Sequence, residues 1–285
     1  MRTTQGWGSG MLGVVIFSGS LPATRAAVAG FSPIFLTSAR AIIAALLGAA
    51  CLVVLRQARP SRRELGSLAI VALGVVAGFP LLTALALQHI SAARSLVFIG
   101  LLPLSTALFG AWRGGERPRP LFWLFSALGA VTVAGFSLLQ HTQGTLAGDL
   151  PMLGAILLCG LGYAEGAVLT RRLGGWQVIS WALILALPVM AVLAMFSLPA
   201  DWHEADLHAW LGLAYVSVFS MLLGFIFWYR GLALGGIAAV GQLQLLQPFL
   251  GLMLAALLLR EIVSWTMVLA ATLVVLCVAG ARRFA

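Results

Sequence analysis

The chain has 285 residues, 61% of them hydrophobic and only 9% charged, with a mean hydropathy of +1.05. Soluble domains carry about 25% charged residues, so a water-facing fold of this length is excluded and the bilayer is the solvent that fits. The formal net charge of +9 does not mark a nucleic-acid binder, because the arginines are dispersed between apolar runs and act there as topology signals.

Apolar runs long enough to cross ~30 Å of hydrocarbon recur along the chain. The first five are Trp7 to Ala27, Pro33 to Leu55, Leu65 to Leu87, Ala92 to Trp112 and Leu121 to Leu139. The second five are Leu150 to Thr170, Val178 to Leu198, Trp210 to Tyr229, Ile237 to Leu259 and Val263 to Gly280. The fold class is therefore all-α, a polytopic membrane protein of about ten transmembrane helices. Arg2 ahead of the apolar stretch from Met11 imitates a signal peptide, but the long run and the spans after it make a retained first helix. Cys51, Cys159 and Cys277 lie inside apolar runs and are expected to pack as small hydrophobes rather than as disulfides or metal ligands.

All 17 basic residues are arginine. With a cytoplasmic N-terminus, Arg2, Arg56, Arg59, Arg62, Arg63, Arg113, Arg117, Arg119, Arg171, Arg172, Arg230, Arg282 and Arg283 all fall on the cytoplasmic side. The far side keeps Arg260 and the helix-end residues Arg25, Arg40 and Arg94. The positive-inside rule then puts both termini in the cytoplasm.

An internal repeat follows. Pro103, Glu116 and Gly135 are matched by Pro248, Glu261 and Gly280 at one offset of 145 residues, the signature of a duplicated unit. A five-helix unit is odd, so the second copy enters from the opposite face, an inverted repeat of the kind many secondary transporters use. The boundary divides residues 1–140 from residues 141–285.

Pro103 and Pro248 fall well inside the fourth and ninth spans. A mid-helix proline frees the carbonyl four residues earlier, here those of Ile99 and Gln244. Matched broken helices point to a transporter site, although a harmless kink is the simpler reading of either one alone. Gln244 and Gln247 share a helix face beside Pro248, while Gln242 points more nearly away. Their amides suit either a zwitterionic solute or hydrogen bonds between helices. Phe98, Ser95 and Ser105 are weaker candidates by position. Glu165 lies deep in the sixth span, as a proton carrier, a counter-charge for substrate, or the partner of an arginine such as Arg171 or Arg230. Tyr163 and Trp228 sit deeper than the interfacial belt and could line an apolar cavity wall. The run Asp201 to His208 reads as a solvated outer loop, because no tight metal-ligand spacing appears in it. Gly74 to Gly78 and Gly162 to Gly166 give faces for close helix packing.

The chain resembles the drug/metabolite transporter superfamily, and specifically its EamA-type ten-helix members. Phe17-Ser18-Gly19-Ser20-Leu21-Pro22-Ala23-Thr24-Arg25 is similar to that family's first-helix pattern, with phenylalanine in place of tryptophan. Pro33 with Arg40, Pro103 with Glu116, and Pro248 with Glu261 resemble its later motifs. Within the family the likeness is greatest to YddG-type amino-acid exporters, to which Gly162-Tyr163-Ala164-Glu165-Gly166 contributes. The resemblance implies an inner-membrane carrier exporting aromatic and other neutral amino acids through a cavity of helices three, four, eight and nine.

The residues and the resemblance together lead us to expect a secondary transporter working by alternating access, with no catalytic residues, no metal and no cofactor. The expected substrate-binding set is Phe98, Ile99, Pro103, Tyr163, Glu165, Trp228, Gln244, Gln247 and Pro248. The expected partners are a small amino acid and the lipid bilayer, with no nucleic acid, and a monomer suffices as the functional unit. A multidrug or other metabolite carrier of the same fold is the alternative. An intramembrane enzyme is further off, since no paired catalytic constellation is present.

Overall fold

The computed structural model describes residues 2–86, 89–90, 98–138, 145–202, 205–259 and 265–285. Arg94, Ser95, Glu261, Arg260, His203 and Glu204 lie outside them, as does the start of the fourth span. The described residues hold helices and connecting turns and no strand. In a medium without hydrogen-bonding solvent, a helix satisfies its own backbone.

The helices form ten passes. The first comprises Arg2–Ser18 and Ser20–Ala27, the second Pro33–Val54, the third Arg62–Ala86, and the fourth ends in Leu102–Gly114. Pro120–Leu138, Leu146–Leu173 and Gly175–Phe196 are the fifth, sixth and seventh; Leu207–Gly235 is the eighth. The ninth runs from Ile237 to Leu259 in three segments and the tenth is Trp265–Phe284. The second, third, sixth, seventh and eighth passes are 22, 25, 28, 22 and 29 residues long, where about 20 suffice to span the hydrocarbon. Several overrun the apolar stretches because polar end residues continue the helix into the headgroup layer. Val131, Leu269 and Leu276 stay exposed on the outside of the bundle, the proper surface for contact with lipid.

Packing repeats the sequence symmetry. The first pass lies on the eighth and the sixth on the third; the second meets the seventh, the fourth the ninth, and the fifth the tenth. Exchanging every pass for the one five places on leaves these pairings unchanged, as an approximate two-fold between two inverted five-pass units requires. The third and eighth passes also widen into π-helical turns at matched places, Ala72–Gly78 and Val216–Gly224. In the third, Pro80 has no N–H to offer the Val76 carbonyl. In the eighth there is no proline, but Ser217 Oγ donates to the Leu213 carbonyl at 2.6 Å and competes with the ladder. Pro80 thus has no counterpart in sequence, yet the distortion it makes does.

The two small-residue faces meet each other. A Cβ on Gly74 would lie 2.5 Å from the Leu158 carbonyl oxygen and 3.0 Å from Gly162 Cα, so only glycine lets the third and sixth passes approach this closely. Gly74→Val is expected to cost about 1–3 kcal/mol through overpacking, read as a lower melting temperature. Gly154→Ala, whose added methyl would have only Leu82 Cδ1 at 3.5 Å, should leave the melt nearly unchanged.

Candidate functional site

Both repeat prolines interrupt their passes at the same place. Pro103 is the second residue of Leu102–Gly114, and Pro248 the second of Gln247–Leu259. A proline in the first turn starts a helix without losing a hydrogen bond, so each pass is broken ahead of it rather than kinked through it. In the ninth pass the break is the 3-10 stretch Gln242–Leu246. This corrects one expectation: the Gln244 carbonyl is not released by Pro248, because the Gln247 N–H donates to it.

The polar groups that remain unsatisfied are the side chains. Gln242, Leu243, Gln244 and Leu245 are all buried, because the ninth pass is enclosed on several sides and not along one stripe. Gln242 is therefore as deep as Gln244, contrary to the helical periodicity, while Gln247 is half-buried. The amide oxygen and nitrogen of both Gln242 and Gln244 have no hydrogen-bond partner. Trp228, on the eighth pass, is fully buried with its indole Nε1 equally orphaned. A buried polar group left unpaired costs about 1–3 kcal/mol, and most native proteins contain few. Several in one molecule, two of them amides two residues apart at a helix break, call for a functional explanation.

Aromatic rings wall this region. Trp228 meets Tyr163 of the sixth pass at 5.6 Å between ring centroids and Phe17 of the first pass at 6.3 Å. Phe225 lies 5.1 Å from Phe17 and 6.0 Å from Tyr163. The Tyr163 hydroxyl approaches the Cys159 thiol and the Gln244 amide, although Gln244 makes no hydrogen bond of regular geometry. Of the expected residues, Tyr163, Trp228 and Gln244 therefore come together. Phe98 and Ile99 are half-buried against the same core, and Ser105 donates to the Ile156 carbonyl at 3.2 Å, tying the fourth pass to the sixth. Gln242, Phe17, Phe225 and Cys159 were missed, the first because burial along a single helix face was assumed.

Glu165 stands apart from this cluster in a charged layer. Arg113 Nε and Nη2 donate to its two oxygens at 2.7 and 3.0 Å, and Ser67 Oγ donates as well. Its partner is neither Arg171 nor Arg230. Glu116 accepts from the Ile237 and Ala238 backbone N–H groups at 2.6 and 2.7 Å, with Arg171 Nη2 at 3.6 Å. It caps the start of the ninth pass from the loop after the fourth. Both carboxylates thus join the first five passes to the second five at the end of the bundle that carries the termini. Glu116→Ala is expected to cost about 1–2 kcal/mol, the loss of a charged N-cap, measurable as a lower melting temperature.

Two interlocked five-pass units, broken at matched prolines around buried amides and aromatic rings, define a membrane carrier. The chain belongs to the EamA-like transporter family, whose pattern matches twice, over residues 5–138 and 146–282. It is a transporter and not an enzyme. It is 62% identical over 284 residues to the Bacillus subtilis protein named Uncharacterized transporter YdeK, covering 100% of this chain and 99% of that one. It is 26% identical over 280 residues to Uncharacterized transporter sll0355 of Synechocystis sp., covering 90% of this chain and 81% of the relative. A crystal structure of a protein with 19% sequence identity superimposes with a TM-score of 0.85 and 100% coverage of both chains, a likeness of fold.

Proposed function

We propose that the protein exports small neutral amphipathic metabolites, aromatic and other neutral amino acids first among them, across the cytoplasmic membrane by alternating access. Both termini then face the cytoplasm, as the arginine distribution requires. One observation carries the reading: the Gln244 amide and the Trp228 indole N–H, neither with a hydrogen bond of regular geometry, both lie against Tyr163, with Phe225 beside that ring, Phe17 beside the indole, and the unpaired Gln242 amide two residues from Gln244. Amides can pair with both the ammonium and the carboxylate of a zwitterion, and the rings accept its side chain. A cationic drug fits less well, because Glu165, the carboxylate nearest in sequence to Tyr163, is already held by Arg113. Export requires the two units to rock, so the Arg113–Glu165 pair and the Glu116 cap open whenever the site faces the cytoplasm.

The test is counterflow in proteoliposomes, using labelled amino acids and cationic drugs with and without a pH gradient. Saturable counterflow that prefers L- over D-enantiomers of aromatic or neutral amino acids is the expected result. Uptake of cationic drugs alone, or none that saturates, would overturn the substrate assignment while leaving the carrier fold untouched.

A further inference from the structure

A second site lies away from the amide cluster, on the seam between the second and seventh passes. A cavity of about 580 Å³ opens at the termini-bearing end, lined by Ala49, Leu52, Val53 and Trp181 and by Arg56 and Arg59. Its two walls differ in kind. Leu52, Val53 and Trp181 belong to membrane-crossing helices, and Val53 is 76% exposed, a surface suited to an acyl chain. Arg56 and Arg59 follow directly in the loop beyond Val54, where the membrane-crossing helix ends.

No carboxylate among the described residues lies within ion-pair distance of either arginine. Glu64, the carboxylate closest in sequence, spends its Oε2 on Ser61, accepting from the backbone N–H and the hydroxyl, both at 2.7 Å. Arg56 also has φ 48, a left-handed backbone that no other described non-glycine residue adopts and that side chains accept only at a cost. Beside it, Gln177 Nε2 donates to Gln57 Oε1 at 3.2 Å, holding the two passes together at the cavity.

We propose that this cavity binds an anionic phospholipid, its phosphate between Arg56 and Arg59 and an acyl chain along Leu52, Val53 and Trp181. Basic pockets between transmembrane helices recognise acidic headgroups through that combination. Free phosphate would satisfy the arginines and leave the apolar wall unused. The bound lipid bridges the second and seventh passes, each the counterpart of the other in the two repeats, where it can steady their packing.

Trp181 supplies the probe. The full chain is reconstituted in phosphatidylcholine vesicles containing increasing phosphatidylglycerol brominated on its acyl chains, and tryptophan quenching is followed. Wild type is expected to show a component that saturates at low phosphatidylglycerol and is missing in Trp181→Phe. Arg56→Gln with Arg59→Gln should raise the half-saturating mole fraction about 25-fold, roughly fivefold for each arginine. The proposal fails if brominated phosphatidylcholine quenches that component equally, or if the double substitution leaves the midpoint in place. It fails also if inorganic phosphate alone displaces the brominated lipid, which would make the site one for a soluble anion.

Discussion

Replacing Arg113 by alanine is expected to lower stability by about 2–3 kcal/mol and to open the cytoplasmic side of the protein. The Glu165 side chain is 4% exposed, and removing its cation leaves a buried carboxylate that keeps only the Ser67 hydroxyl as a side-chain donor. Breaking a fully buried pair costs about 3–5 kcal/mol; this one should cost less, since the Arg113 side chain keeps 39% exposure. Arg113→Ala with Glu165→Ala should recover most of the loss, because the penalty belongs to the stranded charge. A double-mutant cycle in thermal melts reads the coupling directly, and a value under about 0.5 kcal/mol would make the contact an ordinary surface pair. Opening has its own reporter in Cys159, which is buried beside Tyr163. With Cys51 and Cys277 replaced by alanine, a membrane-impermeant maleimide on the cytoplasmic side should label Cys159 about tenfold faster in either variant, an acceleration equal to about 1.4 kcal/mol of released latch. Equal labelling in wild type and variants would mean that the ion pair is structural and no part of a gate.

The architecture was legible in the sequence because the bilayer imposes it in one dimension. Ten apolar stretches, each with arginine near the end assigned to the cytoplasm, and a proline recurring at a fixed offset required no knowledge of tertiary contacts. The structure returns that offset as two prolines, each second in its helical segment. Gly74 and Gly162 were also readable as packing faces, although nothing local said that they face one another.

The polar layer was less legible for a physical reason. A carboxylate inside a membrane needs a partner, but sequence proximity is a poor guide to which one. Glu165 is closer along the chain to Arg171 than to Arg113, yet the fourth and sixth passes lie side by side and bring Arg113 to it across 52 residues. Glu116 reaches 121 residues to cap Ile237; its motif was visible, its task was not. Gln242 escaped because a reading by helical face assumes burial along one stripe, and the ninth pass is enclosed all round where the glutamines lie. In each instance the error arose where a pass is enclosed all round or a contact spans the two repeats.

The same enclosed segment yields the second large effect, in which stability and activity move in opposite directions. Gln244→Met keeps the length of the side chain and removes an amide that has no hydrogen-bond partner. Relief of that burial should stabilise the protein by about 1–2 kcal/mol, visible as a raised melting temperature. Counterflow should nevertheless fall about 100-fold in kcat/KM, since a charge-assisted contact to the solute contributes on the order of 2–3 kcal/mol. Gln242→Met should behave alike, and the two together should lose more transport than either. An amide serving only to join helices would give the reverse, with a lower melting temperature and transport falling no further than the folded fraction. Retained transport with raised stability would remove Gln244 from the site altogether. A site that binds a passing solute holds polar groups the resting fold does not satisfy, and the sign of this stability change tests that directly.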